Sequence, residues 1–351
     1  MNRTRIRILA IVVIIAILAA IAAMVYSSNH SDELIGSAMK DQISDNLKFE
    51  KELLSEKDNI TVYTIGTAAM LPSSRSQSCT AVIANGQLLI FDVGDGAVSQ
   101  MEKMNLPVEK ISGVFISHFH SDHYVDLPYL INRSWLRGRD TKLDVYGPSG
   151  IKNIIAATDQ FLEIDNQHRT NLHGKSILDS SVAGARAHQM SIADQGSSLV
   201  YDQHGIKVTA FVVGHEPVSP DYGFLIEYKG KKVVLSGDTA KNQNVTKYAE
   251  GADLLIHEAM LMELITQLSD INTELGDSKR GQLLAVMKDY HSSPIEAAEV
   301  AAEAGVAKLV LSHLAPTPDR KVLERMYKRG MADIYSGPII LADDGDKFII
   351  N

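Results

Sequence analysis

The hexapeptide His118-Phe119-His120-Ser121-Asp122-His123 places three imidazoles and a carboxylate directly after the apolar run "GVFIS". Neutral imidazole nitrogen combined with carboxylate oxygen is a donor mixture suited to zinc or a similar divalent cation. Four such groups in six residues converge only where the chain turns sharply at the end of a strand. Three further polar residues stand in the same relation to an apolar run: His215 after "VTAFVVG", Asp238 after "KVVLSG" and His313 after "KLVLS". Singly, each such residue commonly just caps a helix. Together with the cluster they point to one metal site at the ends of several strands.

The elements that must carry these residues alternate from residue 60 onward. "ITVYTIGTA" reads as a strand, and "CTAVIANGQLLIFDVGDG" as two strands joined by a tight turn at Asn85-Gly86. Helices are expected near 97–105, 124–136 and 151–163. Residues 164–205 have weak periodicity and read as an inserted loop region, expected to wall the pocket. Regular structure resumes with "IKVTAFVVGHE", a hairpin at Lys229-Gly230, "GADLLIHEAM" and "AKLVLSHLAP", with helices near 262–275 and 294–304 and a terminal hairpin around Asp344-Gly345. Hairpins mixed with helical crossovers imply α/β layering, sheets inside and helices outside.

The first 59 residues are different. Arg3, Arg5 and Arg7 precede an unbroken apolar run at 8–26, long enough as a helix to cross a bilayer. The reading is a signal anchor or signal peptide at 1–26, a polar, partly helical spacer at 27–59, and a catalytic domain at 60–351. The basic flank predicts a domain held outside the cytoplasm by residues 8–26, or secreted if the segment is cleaved, with Ala20-Ile21-Ala22 as a small-x-small cleavage site. Ile35, Met39, Ile43 and Leu47 recur every fourth position in the spacer. The chain has 351 residues with 34 basic and 43 acidic ones, and residues 1–26 hold three of the bases and none of the acids. So acidic a remainder has no general attraction for nucleic acid. A lone Cys79 excludes an intrachain disulfide and any Cys-rich zinc module.

In order along the chain, "SHFHSDH", "GHE", "SGDT" and "LSHL" resemble the metallo-β-lactamase fold superfamily. "GTAAMLPSSR", "IHEAM" and "YHSSPIEAAEVAAEAGV" resemble its ribonuclease Z and arylsulfatase-like branch. The resemblance implies a four-layer αββα sandwich and a binuclear metal site for two divalent ions, zinc with manganese or iron as alternatives. It assigns His118, His120 and His215 to one ion, Asp122, His123 and His313 to the other, and Asp238 to both. Asp122, also read as catalytic, completes the set. Two adjacent cations lower the pKa of a shared water enough to make a nucleophile. The branch further implies that His291 protonates the leaving oxygen while Glu258 orients it and raises its pKa. The competing role for His291 and Ser292 is to cap the helix near Pro294. His257 is expected to support the site structurally, Asp95 and Thr239 to hydrogen-bond metal ligands, and Gly94–Gly96 simply to turn the chain.

Departures from the branch bear on substrate. Arg75-Ser76-Gln77 stands where tRNA-processing members have a Lys/Arg-Asn element, and Ala315-Pro316-Thr317-Pro318 where they have a Ser-x-Arg-Tyr type element. Residues 151–205 hold four bases against six acids, a poor grip on a phosphate backbone. The expectation is a hydrolase of a small ester, an arylsulfate or phosphodiester, with a homodimer as its assembly. The alternatives are a ribonuclease Z-like endonuclease, a lactonase or thioesterase, and a non-catalytic anchored scaffold.

Overall fold

The structure, a computed structural model, describes residues 3–193 and 196–351; the side chains of residues 3–16, 22 and 25–30 lie outside that description. The chain divides into two units, Met1–Glu52 and Leu53–Asn351. The first is built from one helix, Arg3–Ser55. No proline interrupts it, and a single Gly36 costs a helix only about 1 kcal/mol, so the segment read as a partly helical spacer is helical through to Ser55. The expected transmembrane segment at 8–26 falls in this helix, but most of its side chains are outside the described residues. Among the described residues no helix is long and apolar enough to cross a membrane. Ile35, Met39, Ile43 and Leu47 are all exposed.

The second unit holds two seven-stranded sheets. One runs β14 (Asp346–Ile350), β1 (Ile60–Gly66), β2 (Cys79–Ala84), β3 (Gln87–Phe91), β4 (Ile111–Phe115), β5 (Leu143–Gly147), β6 (Ala185–Gln189). The other runs β13 (Ile339–Leu341), β12 (Leu309–Ala315), β11 (Leu254–Met260), β10 (Lys231–Leu235), β9 (Val218–Tyr228), β8 (Ile206–His215), β7 (Ser197–Gln203). Period-two alternation decides which side chains meet between them. Ile60, Val62, Leu89 and Phe91 of the first sheet share a core with Val208, Ala210, Phe224 and Ile226 of the second, and the Phe91 and Phe224 rings lie 5.2 Å apart. Phe211 and Val213 point the opposite way, against Val245 and Ala249 of the helix Gln243–Tyr248 and Ala297, Ala298 and Ala301 of the helix Pro294–Ala304. Helices Ala97–Lys103 and Ile151–His173 contact the first sheet. The αββα layering is therefore observed.

Asn85-Gly86 and Lys229-Gly230 make their hairpins with both residues at positive φ, as a two-residue type I′ turn requires. Two expectations are corrected. Residues 164–205 are not an inserted loop: the helix begun at Ile151 continues to His173, and β6 and β7 complete the edges of the two sheets. Their periodicity is weak because edge strands are mostly exposed; only Ala185 is buried in β6 and only Tyr201 in β7. The terminal segment is not a hairpin either. β13 pairs with β12 while β14 pairs with β1, so the turn near Gly345 carries the chain from one sheet to the other around the buried Ala342.

β3 to β6 run parallel, as do β10 to β13, and β8 points the same way as β10 through its antiparallel neighbour β9. The carboxyl ends of these strands carry the residues of the site.

Candidate metal centre

β4 ends at Phe115, and the chain turns through His118 and His120 into the one-turn helix Ser121–Tyr124, which presents Asp122 and His123. His215 is the last residue of β8, and Asp238 follows β10. His313 lies inside β12, where Glu258 pairs with Ser312 and the next residue, Ala259, pairs with Leu314. His313 is thus the extra residue of a bulge, with φ 49°, and the bulge re-aims its ring.

Donor atoms of His118, His120, His215 and Asp238 gather within 4.8 Å of one another, and so do those of Asp122, His123 and His313. Asp238 Oδ2 joins the two sets, lying 4.0 Å from His118 Nε2, 3.2 Å from His123 Nε2 and 3.3 Å from His313 Nε2. His313 Nε2 is also 3.3 Å from Asp122 Oδ2 and 3.3 Å from His123 Nε2. His118 Nε2 is buried without a hydrogen-bond partner. Imidazole nitrogens converging on carboxylate oxygens, one of them orphaned, are a donor set that fits divalent cations.

The electrostatics favour the ligating form at three of the histidines, whereas at His123 burial is outweighed by Asp238 and Asp92, which push its pKa well above the usual value. Burial holds the pKa of His118 well below its usual value, lowers that of His120 and brings that of His215 down to about 4. Neutral imidazole is the ligating form. Burial opposes ionisation of Asp122, yet a hydrogen bond from His313 and the charge of His123 bring its pKa down to about 2. Burial likewise opposes ionisation of Asp238, but the neighbouring His123 and His313 hold its pKa well below the usual carboxylate range.

A further layer orients the ligands. Asp92, at φ 58° just after β3, lies 2.8 Å from His123 Nδ1 and accepts hydrogen bonds from the Ser117 backbone N–H and Oγ. Asp95, expected in this role, has an exposed side chain, and the structure puts Asp92 there instead. Thr239 Oγ1 accepts a hydrogen bond from the Gly214 backbone N–H and so braces the chain beside His215 rather than a ligand ring. Gly94 does more than turn the chain: a Cβ there would come within 2.1 Å of the Asp122 carbonyl oxygen. Asp221, buried in β9, has Oδ2 3.1 Å from His118 Nδ1. A carboxylate carried by a strand interior offered no sequence signal.

His291 and Glu258 meet beside the cluster. His291 Nδ1 lies 3.0 Å from both Glu258 oxygens and 3.9 Å from Asp238 Oδ2. The helix-capping alternative belongs to another residue: Ser293 is the N-cap and forms a capping box with Glu296, while Ser292 Oγ donates to the Thr239 carbonyl. The expected rise in the His291 pKa is not what the structure gives. Burial lowers it, and burial with the nearby Asp238 pushes Glu258 well above its usual value, so both are driven towards their uncharged forms. His257 is fully buried, with Nδ1 2.8 Å from the Glu258 carbonyl oxygen.

A cavity of about 150 Å³ opens over these groups, lined by His120, Asp122, Asp238, His291 and His313 together with Met70, Ser121 and Tyr290. No described residue of 164–205 lines it; its apolar walls are Met70 and Tyr290, which sequence reading missed. The Tyr290 ring centroid is 5.0 Å from that of His215 and 4.8 Å from that of His291, and its carbonyl oxygen is 3.0 Å from His215 Nδ1. His188 lies outside the site, 2.7 Å from Asp144 Oδ1.

Sandwich and donor set together define a metallo-β-lactamase-fold hydrolase with a candidate binuclear centre. Residues 89–314 match the beta-lactamase superfamily domain, and the chain belongs to that family. It is 29% identical over 289 residues to a ribonuclease Z of Mycolicibacterium paratuberculosis, covering 81% of this chain and 96% of that protein. A Mycobacterium avium ribonuclease Z is 28% identical over 289 residues, with the same coverage. Among solved structures, the short form of human tRNase Z superposes with a TM-score of 0.59 at 25% identity, covering 83% of this chain and 99% of that one. The metallo-β-lactamase fold protein YhfI of Bacillus subtilis superposes at 0.60 with 20% identity, covering 83% and 100%.

Proposed function

We propose that this chain hydrolyses phosphodiester bonds by ribonuclease Z-like chemistry, with an RNA strand as the leading substrate class. The observation that carries the reading is the Glu258–His291 pair, held at 3.0 Å beside the seven-residue candidate ligand cluster, with His291 and four of those ligands (His120, Asp122, Asp238 and His313) lining one cavity. Ribonuclease Z relatives aligned over 96% of their length support the choice of bond.

His118, His120 and His215 would hold one divalent ion, Asp122, His123 and His313 the other, and Asp238 both. Zinc suits this nitrogen-rich set. When bound, the ions supply Lewis acidity for the phosphoryl group and ease the deprotonation of water. The residues do the rest. Asp92 fixes the ring of His123. Glu258 engages His291 Nδ1, so Nε2 is the nitrogen that passes a proton to the departing oxygen. Met70 and Tyr290 offer an apolar wall to a flat substituent.

A second reading, a small arylsulfate or other small ester, is favoured by the acidic balance of residues 151–205 and by the modest cavity. Assay of the zinc-loaded full chain on a diaryl phosphodiester, a 3′-extended RNA, an arylsulfate and a lactone separates the two. Chelator-sensitive cleavage of the RNA and the diester supports the first. Turnover of the sulfate or lactone alone overturns it.

For the N-terminal unit, the arginine-flanked apolar run at 8–26 supports a membrane tether that leaves the catalytic unit on the far side from the arginines. Protease accessibility in sealed vesicles tests this: full protection in vesicles of cytoplasmic-side-in orientation would reject it.

A further inference from the structure

We infer that Asp221 is a positioning residue of the metal centre, the carboxylate that holds and charges His118 from behind. The inference rests on the metal-centre reading above. Asp221 is fully buried in β9, and neither of its oxygens has a hydrogen-bond partner of good geometry. An unpartnered buried carboxyl group destabilises a fold as a rule and persists where something in its surroundings compensates it.

One side-chain partner stands against it. Its Oδ2 lies 3.1 Å from His118 Nδ1, on the side of the ring opposite the orphaned Nε2 that faces the cluster. Ser117 Oγ lies 3.0 Å from the same Nδ1, but its proton goes to Asp92 Oδ2, so towards His118 it can only accept. Both neighbours therefore favour the tautomer with hydrogen on Nδ1 and a lone pair on Nε2. Of the two, only Asp221 is a carboxyl group, the kind of partner that raises the donor strength of a ligating ring.

The backbone is shaped to bring the carboxylate there. Gly237, at φ 66° immediately before Asp238, has no Cβ; one would come within 2.6 Å of the Tyr222 carbonyl oxygen and 3.2 Å of Asp221 Oδ1. Asp221 is thus wedged between the two ligand-bearing turns, those of His118 and Asp238. With Asp92, Asp122 and Asp238 it places four aspartates around the cluster.

The test uses the full chain with Asp221→Asn and Asp221→Ala. Zinc retention is measured against a competing chelator, and thermal unfolding is followed with and without metal. The expected result is a roughly 10- to 100-fold loss of affinity for one of the two ions, the other being held as in the unsubstituted chain. Thermal stability should shift in opposite directions in the two states. Removing an uncompensated carboxylate raises the unfolding temperature of the metal-free protein, whereas the metal-loaded protein unfolds at a lower temperature. A purely structural role would lower both. Retention of both ions with unchanged affinity in both variants, or equal destabilisation with and without metal, overturns the inference. Failure of the unsubstituted chain to bind two ions would instead overturn the metal-centre reading itself.

Discussion

Glu258 grips His291 through Nδ1, with both carboxylate oxygens 3.0 Å from that nitrogen. The contact commits Nδ1 to Glu258 and leaves Nε2 to face substrate; because Asp238, His291 and His313 also gather as a possible ligand group, the metal content of a His291 variant separates proton donation from ligation. His291→Ala is therefore expected to keep both ions while turnover falls roughly 100- to 10,000-fold, the span of a positioned general acid. The loss should be greater for substrates with poor leaving groups, measured as the slope of rate against leaving-group pKa. An unchanged slope would count against proton donation.

Asp238 Oδ2 stands between both halves of the ligand set, 4.0 Å from His118 Nε2 on one side and 3.2 and 3.3 Å from His123 and His313 Nε2 on the other. Asp238→Ala should lower the bound metal below two ions per chain and remove turnover together with it. Elemental analysis of the purified variant decides: two ions retained would contradict the bridging assignment.

Asp92 reaches His123 Nδ1 at 2.8 Å. Asp92→Ala is expected to weaken zinc binding about 10- to 100-fold without abolishing it, read by chelator competition. Asp95→Ala, on an exposed side chain, should leave binding unchanged. Equal effects at the two positions would remove Asp92 from its orienting role.

Tyr290 offers its ring to the cavity and its backbone oxygen to His215. Because the backbone contact survives substitution, Tyr290→Ala should hold metal normally yet raise KM for aryl or nucleoside diesters up to roughly tenfold, the worth of an aromatic contact. Tyr290→Phe should behave like the unsubstituted chain. A fall in kcat with KM unchanged for both substituents would show that the ring does not contact substrate.

The positions on which the site depends were readable where chemistry and strand ends coincide. His118, Asp122 and His123 share one short segment, and His215, Asp238 and His313 each follow a β-branched or leucine-rich run. What the sequence hid was what only three-dimensional packing decides. Asp92 and Asp95 are equally acidic and three apart, and only the turn after β3 selects between them. Asp221 sits within a strand, where no local pattern marks it. The direction of the His291 pKa depends on burial, which spacing does not reveal. β6 and β7 read as loop in the sequence because edge strands expose most of their side chains, and the segment around Asp344-Gly345 reads as a hairpin because a sharp turn has the same signature whether its flanking strands pair with each other or part.

That parting has a consequence for how the domain is assembled. Ile60, at the start of β1, pairs with Ile350, so the first strand of the sandwich is closed by the last. A contact spanning nearly the whole domain forms late and slows folding. During synthesis β1 therefore keeps one side unzipped until the carboxyl-terminal strand emerges, and over that interval an apolar strand edge is open to pairing with another chain.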